Sequence, residues 1–153
     1  IRLASEHARI GFVFNKIGIT PEACSSWFLP RIVGIGQALE WVYSADILKP
    51  EEALAGRFVK AIVPADQLLE EAYKIARRIS QFSPVAIALS RQMMYRCAAQ
   101  PHPIEAHKVD SLAIYYTSQN SGKEGVRSFL EKRPPVFTQR TSTDMPPFYP
   151  WWE

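Results

Sequence analysis

Only two stretches of this chain have the β-branched and aromatic density of a strand; the rest runs largely at helical period. Residues 10–14 (Ile10, Gly11, Phe12, Val13, Phe14) form one, and residues 58–63, closed by Pro64, form the other. Two short strands are too few for a stable sheet of their own. The expectation is that they complete a sheet begun elsewhere. The opening Ile1, Arg2, Leu3, Ala4, Ser5 reads as the end of a strand already in progress, and the first residue is not Met.

Helical signals fill the remainder. Thr20 is placed to cap, Pro21 to take the first helical position and Glu22 the first turn, which predicts a helix over 21–32. Gly34 and Gly36 punctuate, a short helix follows over 38–44, and another over 50–55 is stopped by Gly56. Asp66 caps an amphipathic helix with Leu68, Ala72, Ile75, Ile79 and Phe82 on one face. Ser83-Pro84 starts the next, carrying Leu89, Met93 and Met94, with Pro101 and Pro103 breaking it before a helix over 104–117. Ser121 and Glu124 have capping-box spacing ahead of Val126, Phe129 and Leu130, and Pro134-Pro135 ends that helix. The tail beyond Asp144 is too rich in Pro to be helical. Its aromatics predict packing on this subunit or a neighbour.

Composition narrows the class. With 153 residues and 47% hydrophobic content the chain suits one globular domain. The net charge of +3 is spread out, with no basic stripe for nucleic acid, and it suits an anionic ligand such as a nucleotide phosphate. No apolar run approaches the roughly 18 residues of a membrane span. No secretory signal opens the sequence. Cys24 and Cys97 lack metal spacing and read as free thiols in a reducing compartment, so a cytoplasmic location is expected. His7, His102 and His107 show no metal spacing either.

Residues 8–12, 18–26 and 29–34, followed in order by 38–40, 52–59, 83–86 and 124–133, resemble the crotonase superfamily, the enoyl-CoA hydratase/isomerase family. The resemblance reaches to about Phe137 and implies an α/β fold: a spiral of ββα units followed by a helical region that assembles trimers, often paired into hexamers. This chain resembles the second half of that arrangement. The expected organisation is the end of the spiral core over 1–63, the helical oligomerisation region over 64–137 and the tail over 138–153. The fragment is expected to be mostly helical. In relatives the preceding half holds the oxyanion-hole N–H groups and much of the coenzyme A contact.

The resemblance also implies chemistry. The substrate is an acyl-CoA thioester, processed through an enolate that two backbone N–H groups stabilise. No metal or redox cofactor is needed, since coenzyme A is part of the substrate. The second hydratase glutamate falls at Phe14, which cannot move a proton. Many isomerases of the family instead place an acid after Gly-x-x-Pro, and here that residue is Glu22. Glu22 is therefore the expected general acid/base, moving a proton between the α and γ carbons. A glutamate in a first helical turn is equally explained by the helix dipole, and a proton-trading carboxyl there needs apolar surroundings.

Trp27 and Phe28 either line the acyl pocket or belong to the core. Phe129 and Lys132 match positions that in relatives touch the adenine and phosphates of coenzyme A, often across subunits. The alternative is that Phe129 is core and Lys132 merely solvated. Cys24 and Ser25 replace glycines common in hydratases. Ser25 or Ser26 serves either the pocket or the helix start. Isomerisation of an unsaturated acyl-CoA is the leading expectation. Hydration, thioester hydrolysis, or a non-catalytic acyl-CoA-binding and oligomerising role are the alternatives, and the isolated chain is expected to be inactive.

Overall fold

The computed structural model describes all 153 residues, in two compact units, Ile1–Ile75 and Ala76–Glu153. The chain is mostly helical, with seven α-helices and four short strands. No helix is long and apolar enough to cross a membrane.

The first unit holds β1 (Leu3–Ser5), β2 (Ile10–Gly11), α1 (Ser25–Val33), α2 (Ile35–Ser44), β3 (Ile47–Leu48), α3 (Pro50–Ala55) and β4 (Ala61–Val63). The two expected strands do not pair with each other. β4 pairs in parallel with β1, aligning Ala4 with Ile62, and β2 pairs antiparallel with β3, aligning Ile10 with Leu48. β3 went unforeseen because two residues carry no readable alternation. The expected strand over 10–14 is cut to two residues, because Val13–Ile17 turn into a 3₁₀ helix. The strand expected over 58–63 is likewise confined to Ala61–Val63.

Three rings explain how these pieces cohere. Phe12 stacks on Trp41 at 6.0 Å, and Phe58 meets both edge-on at 5.7 and 6.2 Å. Trp41 is buried with Leu29, Ala38 and Leu48, so α1, α2 and β3 share one apolar centre. Ala4, Ala53 and Val59 form a second cluster, joined to the first through Ile10 and Phe58. Burying each large apolar side chain contributes about 1.5–3 kcal/mol.

The end of α3 shows what Gly56 is for. Gly56 has φ −74° and no left-handed turn. The left-handed residue is Arg57, at φ 59°. Arg57 N–H donates to Leu54 O at 3.0 Å and Phe58 N–H to Ala53 O at 2.8 Å, the Schellman pattern. A Cβ on Gly56 would lie 2.5 Å from the Trp41 ring. Gly56 is thus a close-approach glycine, and the expected stop comes one residue later.

Asp66 lies in a 3₁₀ turn, Ala65–Gln67, leading into α4 (Leu68–Ile79), which carries the chain across the boundary between the units. Phe82 falls beyond its end. Leu68, Leu69, Ala72 and Ile75 form, with Ile1 and Leu3, an open apolar groove of about 250 Å³ in the first unit.

The second unit contains α5 (Pro84–Cys97), α6 (Pro103–Gln119) and α7 (Ser121–Leu130). The sequence signals hold at α5, where the Ser83 hydroxyl accepts from Ala86 N–H at 3.3 Å. At α6, Pro103 takes the first helical position behind His102, whose ring Nδ1 accepts from Ile104 N–H at 3.2 Å. Val85, Leu89 and Ala113 are buried, with Met93, Tyr116, Met145, Phe148, Tyr149 and Trp151 packed against them. The tail therefore supplies core to its own unit. Tyr116 O–H donates to Asp144 O at 2.9 Å, and the Arg96 guanidinium sits 3.5 Å over the Trp152 ring.

The capping box expected at α7 is not formed. Asn120 stands at the cap, Ser121 is buried inside the helix, and the Glu124 carboxylate goes elsewhere. α7 also ends at Leu130, before Pro134.

Candidate active site

The first unit presents the Phe14-to-Phe28 segment as a turn, an extended stretch and a helix start. The 3₁₀ helix containing half-buried Phe14 ends at Gly18, whose φ of 77° suits glycine, and Ile19 N–H returns to Phe14 O at 3.2 Å. Thr20, Pro21 and Glu22 then run on outside any helix, contrary to the expected start at Pro21. Ala23 and Cys24 are both left-handed, at φ 51° and 59°, and α1 begins only at Ser25. Each non-glycine residue in that region costs roughly 1–2 kcal/mol.

Two left-handed residues in succession reverse the chain just after Glu22. Ser25 secures the reversal: its N–H and its hydroxyl donate to Glu22 O at 2.9 and 2.6 Å. Ser25 thus serves the helix start. Glu22 is not in the first turn of α1, so the helix-dipole explanation for it does not apply. Its side chain is exposed and makes no hydrogen bond or ion pair. It is the only acidic residue between Glu6 and Glu40.

Trp27 and Phe28 touch edge-on at 4.8 Å. The Arg31 guanidinium covers the Trp27 ring at 3.8 Å and donates to Trp27 O at 3.0 Å. Trp27 is half-buried, whereas Phe28 is 44% exposed and is the ring more open to a ligand.

Phe129 and Lys132 lie in the second unit, at the end of α7. Phe129 is 81% exposed, so it is not a core residue of this chain. Lys132 is exposed and left-handed, at φ 53°. Its N–H donates to Phe129 O at 3.2 Å, and Arg133 N–H donates to Ser128 O at 3.0 Å. The two expected coenzyme A contacts therefore belong to one Schellman turn. Nearby, an open apolar hollow of about 880 Å³ is lined by Phe82, Ala86, Ile114, Val126, Leu130 and Phe137.

One residue of this region was misread from sequence. The Glu124 carboxylate, with its side chain only 14% exposed, accepts from Arg133 at 2.6 and 3.0 Å, from Arg127 at 2.9 Å and from Val136 N–H at 2.9 Å. Arg133, Val136 N–H and Arg127 together hold this carboxyl well below the usual carboxylate range. Capping-box spacing pointed backward along the chain, while the partner that wins is the guanidinium nine residues ahead. The thiol of Cys97 is pushed up by burial and by the charge of Asp110, which favours its protonated form.

Residues 1–140 match the family described as enoyl-CoA hydratase/isomerase. The chain belongs to this family. It is 41% identical over 142 residues to enoyl-CoA hydratase ACTT3 of Alternaria alternata, covering 90% of this chain and 47% of that protein. It is 34% identical to the crotonyl-CoA hydratase of Syntrophomonas wolfei, covering 91% and 54%. Among solved structures, the enoyl-CoA hydratase of Bacillus anthracis superposes with a TM-score of 0.86 at 27% identity, covering 92% of this chain and 54% of that one. This family chain thus has the crotonase fold and spans about half the length of the curated relatives it matches.

Proposed function

We propose that this chain forms the second half of an acyl-CoA enzyme that isomerises an unsaturated acyl-CoA, with Glu22 as the proton-shuttling acid/base. The observation that carries this reading is the distribution of carboxylates. By the family resemblance Phe14 falls where hydratases carry their second glutamate, and Glu22 is the only acid from there to Glu40. One carboxylate suffices for isomerisation, since the proton taken from one carbon is returned to another. Glu22 removes a proton from the substrate, the electrons move toward the thioester oxygen, and the protonated Glu22 delivers the proton at the new position.

Trp27 and Phe28 form an apolar wall for the acyl chain. Phe129 stacks on the adenine and Lys132 pairs with a phosphate of coenzyme A. On the family pattern the oxyanion N–H groups come from the half that precedes these residues, so the isolated chain turns nothing over. The same pattern extends the assembly to homotrimers or hexamers.

The test is Glu22→Gln in the full-length protein, given 3-enoyl-CoA. The expected result is a loss of roughly 100- to 10,000-fold in kcat with substrate binding little changed. An undiminished kcat would overturn the role of Glu22. A second reading, hydration with a different proton donor, is favoured by the hydratase names of the relatives at 41% and 34% identity. Product analysis separates the two. Hydration of 2-enoyl-CoA gains a water and yields 3-hydroxyacyl-CoA, whereas isomerisation leaves the mass unchanged.

A further inference from the structure

The carboxylate of Glu124 holds both ends of a segment that cannot hold itself. Pro134 and Pro135 have no N–H to donate. The residues on either side, Arg133 and Val136, both give their donors to Glu124, at 2.6 and 2.9 Å. Directly before them stands Lys132 at φ 53°, a conformation that a lysine does not hold without support from its surroundings.

The electrostatics of the turn point the same way. The acid next to Lys132, Glu131, is drawn to Arg133, whose Nε donates to its Oε2 at 2.6 Å. Arg133 thus occupies both nearby carboxylates. Lys132 makes no ion pair with any group of the chain and its ammonium stays exposed. Within residues 131–133, Lys132 is thus the one charged side chain left free to meet an anion from outside.

We propose that Glu124 is a positioning residue: by holding Arg133 and the Val136 N–H it sets the left-handed turn from which Lys132 meets a phosphate of coenzyme A. This rests on the reading of Lys132 given above. Arg133, the Val136 N–H and Arg127 hold the Glu124 carboxyl below the usual carboxylate range, so it stays ionised throughout the neutral range and the clamp is permanent there.

The experiment is a double-mutant cycle in the full-length protein, with coenzyme A binding measured by titration calorimetry and amide exchange followed at Lys132 and Arg133. Lys132→Ala is expected to weaken coenzyme A roughly 5- to 10-fold, the scale of one partly exposed charge-assisted contact. Glu124→Gln, nearly isosteric, is expected to weaken it by a similar factor and to speed exchange at both amides. In the Lys132→Ala background the same Glu124→Gln change should add almost nothing. Should Glu124→Gln fold poorly, Arg133→Lys opens the clamp from its other side, because an ammonium cannot reproduce the bidentate contact.

Equal weakening by Glu124→Gln in both backgrounds would mean a general structural effect and would overturn the proposal. If Lys132→Ala weakens binding and Glu124→Gln does not, the reading of Lys132 stands and the positioning role alone falls. If Lys132→Ala binds as tightly as the parent, the reading of Lys132 falls and takes the proposal with it.

Discussion

The ends of α3 and α7 are the same turn built twice from different forces. Each closes with the paired hydrogen bonds of a Schellman motif, and each puts a long cationic residue, Arg57 or Lys132, in the left-handed position. At α3 the residue after the turn is Phe58, packed against Trp41 and Phe12. At α7 it is Arg133, bound to a carboxylate. One turn is held by apolar volume and the other by charge. Local backbone geometry therefore does not reveal what stabilises it, and the two ends should respond to different perturbations.

The largest expected effect tests the volume side. Trp41→Ala removes the ring on which Phe12, Phe58 and Leu48 converge and should destabilise the protein by about 3–5 kcal/mol in urea unfolding. Gly56→Ala adds one methyl at 2.5 Å from the same ring and should cost roughly 1–3 kcal/mol. A control inside α7, Gly125→Ala, meets nothing within 4 Å. It should stabilise by up to about 1 kcal/mol through helix propensity. Equal effects at Gly56 and Gly125 would mean that the close approach to Trp41 adds nothing beyond helix propensity.

This contrast also shows which parts were legible in sequence. α3 and α5 announced themselves because Pro at the first position, acids in the first turn or a serine cap are local signals that local structure obeys. The start of α1 was misplaced by the same grammar. Thr20, Pro21 and Glu22 spell a helix start, but Ala23 and Cys24 reverse the chain before the helix can begin. A glycine at position 24 would have revealed the reversal; cysteine hides it. Glu22 was identifiable through its resemblance to the acid that family isomerases place after Gly-x-x-Pro, yet its place outside α1 was not. Glu124 was legible as an acid near a helix start and wrongly paired. Three donors from residues 127, 133 and 136 outcompete the single N–H at the cap.

A smaller effect should be shared by both ends. Arg57→Gly and Lys132→Gly each relieve a left-handed side chain, and each loses part of the gain to the greater freedom of glycine in the unfolded chain. A net stabilisation of about 0.5–1 kcal/mol is expected at both, read as a rise in the urea midpoint. If only one turn gains, the left-handed strain is not a common property of the motif.

The smallest effect belongs to the charge side and appears only in acid. The folded carboxyl of Glu124 lies below its ordinary value of 4.5, because of Arg133, the Val136 N–H and Arg127. The unfolded state therefore binds the proton first, and the stabilisation from the clamp is complete above the ordinary value and lost as pH falls toward the depressed one. Arg133, pushed up further by Glu124 and Glu131, stays charged there, and Arg127 and Glu131 are present in parent and variant alike. The difference in urea midpoint between the parent and Glu124→Gln should then be constant from about pH 8 to about pH 5 and shrink below it. Gly56→Ala, measured against the parent over the same range, should show a constant difference, because no carboxylate takes part in its contacts. A Glu124 difference that persists unchanged to about pH 3 would mean that shape, not charge, holds the α7 turn, and the two ends would be alike after all.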